Sequence, residues 1–110
     1  MWRVLERIFG RRPTGDGWDL RVKGQGRGGL LTYIEGTHGI RFDFELADPG
    51  IIYCPPSMDW DTRYSWAAGR RAQILERVAS EFVRREFRGY PFEFEQGRDD
   101  IIVIRRPRSK

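Results

Sequence analysis

The chain reads as an α+β domain: an antiparallel sheet of about five to six strands, β-hairpins before and after, and one long helix packed on one face. Three observations predict this. Apolar and polar residues alternate over short stretches in the first half, a later stretch repeats its apolar residues at helical spacing, and two more alternating stretches follow. With 110 residues there is room for one domain, able to bury roughly two-thirds of its unfolded surface. Leu, Ile, Val and Phe account for 27 of the 110, which argues against a disordered chain.

Trp2, Leu5, Ile8 and Phe9 lie at helical spacing among Arg3, Glu6 and Arg7, and Gly10 and Pro13 end the pattern. Residues 1–13 are therefore expected as a short basic amphipathic segment, 14–105 as the α+β domain and 106–110 as a basic tail. The first strand covers 18–23, where Trp18, Leu20 and Val22 alternate with Asp19, Arg21 and Lys23. A glycine-rich connection at 24–29 leads to a second strand at 30–35, and 36–39 read as a tight hairpin loop. In the third strand, 40–46, Ile40, Phe42, Phe44 and Leu46 point one way and Arg41, Asp43 and Glu45 the other. One face is core and one is wet, the mark of an antiparallel sheet. A turn at 48–50 and a short strand at 51–54 follow, and Pro55 and Pro56 stop pairing.

Residues 57–66 are expected as a loop. A helix beginning near 62–66 runs to about Arg88, with Gly89 and Pro91 closing it. Tyr64, Ala68, Leu75, Val78, Ala79 and Phe82 share its apolar face. Gly69 is its weak point, since an interior glycine costs about 1 kcal/mol against alanine. If the helix starts after Gly69, Trp66 belongs to the loop instead. A second hairpin then pairs 92–95 with 101–105.

The formal net charge is +4 and the pI about 9.7, which invites a nucleic-acid reading. Yet residues 1–13 carry +3 and 104–110 carry +4, leaving 14–103 at −3. Basic ends can hold phosphate electrostatically, whereas sequence readout needs an element placed in a groove. Eighteen of the 20 basic residues are Arg and there is no Asn, which reads as the composition of a GC-rich bacterial genome. Cys54 and His38 are alone of their kinds, so no intrachain disulfide forms and a zinc cage is nearly excluded. Charged residues break the first apolar run and no stretch approaches 18 apolar residues. A signal peptide and a membrane span are thus not expected, and the cytoplasm is the expected location.

Gly24, Gly26 and Gly29 satisfy the letters of a dinucleotide fingerprint, but that motif needs a helix after its last glycine, and a strand is expected here. Cys54 ends an apolar strand and His38 sits on a hairpin tip, a poor start for a nucleophile pair. Asp59 and Asp61 lie near a helix start, where carboxylates are favoured, and lack the further oxygens a cation needs. No catalytic set, metal site or cofactor site emerges.

The helix carries the more pointed signal. Arg77, Arg84, Arg88, Trp66 and Ile74 fall within about 40° of Arg70 on the wheel. Trp and Arg are the residues most enriched at binding hot spots. The same stripe also suits a solvated face supported by Glu81. Trp60 and Tyr64, beside Trp66, either plug the end of the core or form a rim next to the arginines. The function expected is a small non-enzymatic interaction protein, an adaptor, inhibitor or immunity-type partner of another protein. The alternatives are nucleic-acid binding through the basic ends and the stripe, and a small enzyme or ligand binder using residues 24–29 or Cys54.

Overall fold

A computed structural model describes residues 17–47, 49–87 and 92–106. The expected basic segment at 1–13, the tail beyond Arg106, and Arg88, Gly89 and Pro91 at the helix end lie outside the described residues. Six strands form one antiparallel sheet: β1 (Trp18–Gln25), β2 (Gly28–Glu35), β3 (His38–Glu45), β4 (Gly50–Tyr53), β5 (Glu93–Gln96) and β6 (Ile101–Arg105). Their order across the sheet is β1-β2-β3-β4-β6-β5. The chain leaves the sheet after β4, crosses one face through α1 (Ser57–Arg63) and α2 (Arg71–Glu86), and returns to pair β6 with β4. The α+β class and the antiparallel sheet are as the alternation predicts.

The period-2 pattern sorts the faces. Trp18, Leu20, Leu31, Tyr33, Ile40, Phe42, Phe44, Ile52, Ile102 and Ile104 are buried on the inner face, under Ile74, Leu75, Val78, Ala79 and Phe82 of α2. Phe44 and Phe82 meet at 4.9 Å between ring centroids, where sheet and helix touch. No described element covers the opposite face, where Arg41, Asp43 and Glu45 are exposed beside half-buried Ile34, Ile51 and Val103.

The start of the long helix is the main correction. Residues 57–63 are helical rather than loop, a 3₁₀ turn holds Ser65–Ala67, and α2 starts only at Arg71. Gly69 makes the break, with φ at +76° and its N–H donated to Asp61 Oδ1 at 3.0 Å. Trp66 therefore does not belong to α2. Trp60 is 1% exposed and donates its indole N–H to the Ala67 carbonyl at 2.9 Å, so it closes the core over the break.

The start of α1 is tied down from a distance. Pro56 precedes it without a capping side chain, and Asp99 in the β5–β6 turn accepts from the Ser57 N–H at 2.8 Å. Arg71 donates to the carbonyls of Pro55 and Asp99, and the Cys54 N–H reaches the Asp100 carbonyl at 2.7 Å. One guanidinium thus joins the exit from β4, the start of α2 and the second hairpin.

The glycine-rich connection is shorter than its letters suggest. Pairing runs through Gly24–Gly29 and Gln25–Gly28 to a two-residue turn at Gly26 and Arg27, so β1 and β2 are each longer than expected. A Cβ at Gly29 would stand 2.1 Å from the Lys23 carbonyl oxygen, while one at Gly24 would meet nothing within 4 Å. Gly29→Ala is expected to cost about 2 kcal/mol or more by forcing the strands apart, and Gly24→Ala to stay within about 0.5 kcal/mol of the parent. Urea unfolding of the two variants checks this, and equal losses would contradict it.

Candidate functional site

The expected arginine stripe is a flank of α2 that leans over β1 and β2. Arg70 precedes the helix and forms a bidentate pair with Glu35 at the end of β2, both contacts at 3.0 Å. Its Nε donates to Gln73 at 2.9 Å. Tyr33 donates its hydroxyl to Glu35 at 2.5 Å and accepts from Arg77 at 2.8 Å. Arg77 also lies 3.6 Å from Glu35 and 5.5 Å over the ring of Trp18, which stacks on Tyr33. One helical turn on, Glu81 accepts from both Arg84 and Arg85. Arg85 continues to the Leu20 carbonyl and to Asp19 Oδ1, which also accepts the Leu20 N–H. Those Leu20 groups lie on the side of β1 away from β2, so Asp19 and Arg85 block the sheet edge there.

The structure brings Arg70 and Arg77 together around Glu35. Trp66 reaches the same end of the sheet by stacking on His38, with centroids 4.7 Å apart and planes 9° off parallel, and His38 is paired in register with Glu35. Arg84 is apart and 67% exposed on its side chain. Ile74 is fully buried, so it is a core residue and no part of a surface stripe. Trp60 is core too, and Tyr64 packs against it at 5.1 Å with the Arg63 guanidinium 5.5 Å over the Tyr64 ring. Arg88 lies outside the described residues. Sequence reasoning found the arginines and Glu81 beside Arg84 and Arg85, but missed Tyr33 and Glu35, which are separated from Arg70 and Arg77 by 35 residues or more. With Arg70, Arg77, Arg84 and Arg85 each on a carboxylate, the stripe offers little unpaired charge to a phosphate backbone.

The other early candidates separate. Cys54 is buried and donates weakly to the Ile52 carbonyl, and burial pushes its thiol up to about 12. Tyr53 pairs with Asp43, which leaves His38 four or five residue rises away along β3, ~15 Å. After Gly29 the chain continues as β2, so no helix N-terminus faces the glycines. Among the described residues no group of three or more His, Cys, Asp or Glu is placed to hold a metal ion. No helix among them is long and apolar enough to cross a membrane.

On the opposite flank of α2 a cleft of about 210 Å³ opens above β5 and β6. Leu75, Phe94 and Ile102 form its apolar floor, Ala72 and Glu76 its helix wall, and Arg71 closes one end. Its volume lies below the ~300–1,000 Å³ of small-molecule sites. A cavity of roughly 150 Å³ takes a benzene ring, so the cleft suits one large apolar side chain. Helix and strand are held together at the other end by Phe87 and Phe92, whose centroids are 4.4 Å apart. Beside the cleft runs the free edge of β5. The Gly97 N–H bonds the Ile101 carbonyl at 3.0 Å. In antiparallel alternation that turns the backbone groups of Phe94 and Gln96 away from β6. Among the described residues those edge groups have no backbone partner. Periodicity gave no sign of this cleft, because its walls come from opposite ends of the second half of the chain.

The class is therefore a six-stranded antiparallel α+β domain with one flank of its helix closed by ion pairs and the other open. Comparison with protein-family models, with curated proteins and with solved structures finds no match to this chain.

Glu35 and Glu81 are held below the usual carboxylate range by hydrogen bonds from Arg70 and from Arg84 respectively. A depressed folded pKa means their contribution is present above the unfolded value, about 4.3, and is lost as pH falls through the folded one. The urea midpoint should therefore drop between about pH 5 and 3, and less so in Glu35→Gln/Glu81→Gln, which starts lower at pH 7. Identical pH slopes would contradict the network. Cys54 should resist a thiol reagent at pH 8 in the folded protein and react once urea unfolds it; rapid native labelling would contradict its burial.

Proposed function

We propose that this protein is an interaction module without chemistry of its own, and that it binds another protein through the cleft between α2 and β5. The observation that carries this reading is the juxtaposition of an open apolar cleft with a sheet edge whose backbone groups have no described partner. The buried, protonated thiol of Cys54 and its distance from His38 support it by giving nucleophilic catalysis no starting point. The arginine flank supports it differently. Its charges hold α2 on β1 and β2, which makes them weaker candidates for a partner than the unfilled side.

Replacing Arg70 and Arg77 would disturb the Glu35 network as well as any interface. Arg84 and Ala72 are better probes, since both side chains reach solvent, one on each flank. Co-purification from the native host should capture one stoichiometric partner with the parent protein and with Arg84→Glu. Ala72→Trp, which fills the cleft, should lose it. Loss with Arg84→Glu and retention with Ala72→Trp moves the contact to the arginine flank. No stoichiometric partner for the parent protein overturns the module reading.

A further inference from the structure

We infer that the cleft takes an extended segment of a partner protein in which basic and apolar residues alternate, added as a seventh strand to the free edge of β5. The inference rests on the interaction-module reading and deepens it by naming the chemistry of the partner.

Phe94 and Gln96 direct their N–H and C=O groups outward from the sheet, up to four bonds for an incoming strand. Side chains of that strand would alternate between the two sheet faces. Those on the inner side would lie next to Phe94 and enter the cleft over Leu75 and Ile102, which demands a large apolar residue. Those on the outer side would lie next to Glu93 and Glu95, cross-strand neighbours that favour Lys or Arg and oppose carboxylates. Glu95 is shared with Arg105 at 2.5 Å, whereas Glu93 and Glu76 have no ion-pair partner among the described residues. Glu76 adds a second acidic point on the helix wall.

The same charges argue against a second copy of this chain at the edge. Antiparallel pairing of β5 with itself would bring Glu93 and Glu95 against their own kind, which is destabilising. The other edge is closed to addition at Leu20 by Asp19 and Arg85. At β5 a joining strand meets an acidic edge with an apolar cleft beside it.

The test is fluorescence anisotropy with the full chain and a labelled heptapeptide alternating lysine with leucine and valine. Two control peptides carry glutamate for lysine, or N-methyl groups on alternate backbone amides. Saturable binding is expected, weakened about tenfold or more by either control, by Ala72→Trp and by Glu93→Lys, and unchanged by Arg84→Glu. Binding that tolerates N-methylation or Ala72→Trp is charge attraction alone and overturns the inference, as does no binding up to about 1 mM. A dimer through β5, seen by sedimentation and lost with Ala72→Trp, replaces the partner by a second copy and overturns it too. If the peptide fails but Ala72→Trp still loses the co-purified partner, the alternating-strand occupant is wrong and the cleft remains the interface. If Ala72→Trp retains that partner, the cleft reading itself falls.

Discussion

Burial of Ile74, Leu75, Val78, Ala79 and Phe82 of α2 against the inner sheet face is the interaction on which the other features depend. Each large side chain so buried contributes ~1.5–3 kcal/mol, against ~0–1 for a half-exposed ion pair. The apolar contact therefore decides where the helix sits. It also leaves a geometrical remainder. Six strands at ~4.8 Å spacing make a sheet some ~24 Å across, and one helix with its side chains covers only ~10–12 Å of it. Both flanks of the helix must be dealt with in some other way.

On the β1–β2 flank the remainder is filled. Trp18 and Tyr33 stack beneath Arg77, Arg70 clasps Glu35, and Arg85 reaches past the helix to the edge of β1. Long arginine side chains suit this work because the aliphatic stem covers apolar surface while the planar head bonds in two directions. The clustering of arginine on one side of the helix is thus a consequence of sheet width. On the β5–β6 flank α2 presents Ala72 and Glu76 in place of such paired arginines, and the cleft is what remains.

The two sheet edges differ in the same sense. β1 is long and its edge is met at Leu20 by Asp19 and Arg85, while β5 is short and, among the described residues, carries negative charge at its edge. Charge discourages self-association without excluding a partner of opposite sign. Cleft, free edge and acidic rim all fall on the one flank that α2 leaves uncovered.

Much of the fold was legible in the sequence because a strand's alternation is local: Ile40, Phe42 and Phe44 face the core whatever their neighbours are. The second hairpin and the helix core positions 75, 78, 79 and 82 were legible for the same reason. Helix continuity across Gly69 was not, since the break is stabilised by Asp61 and sealed by Trp60, contacts that exist only once the chain has folded back. The wheel placed Ile74 with the arginines, and the core extends far enough round α2 to bury it. So the residues themselves determined the class, the strands and a row of arginines on one side of a helix. Only the tertiary structure decided that Arg70 and Arg77 of that row meet Glu35 and Tyr33, and that the open surface lies on the other flank. Side-chain periodicity assigns a residue to a face, but the pairing of that face with segments 35 or more residues away is set by how one helix fits a wider sheet.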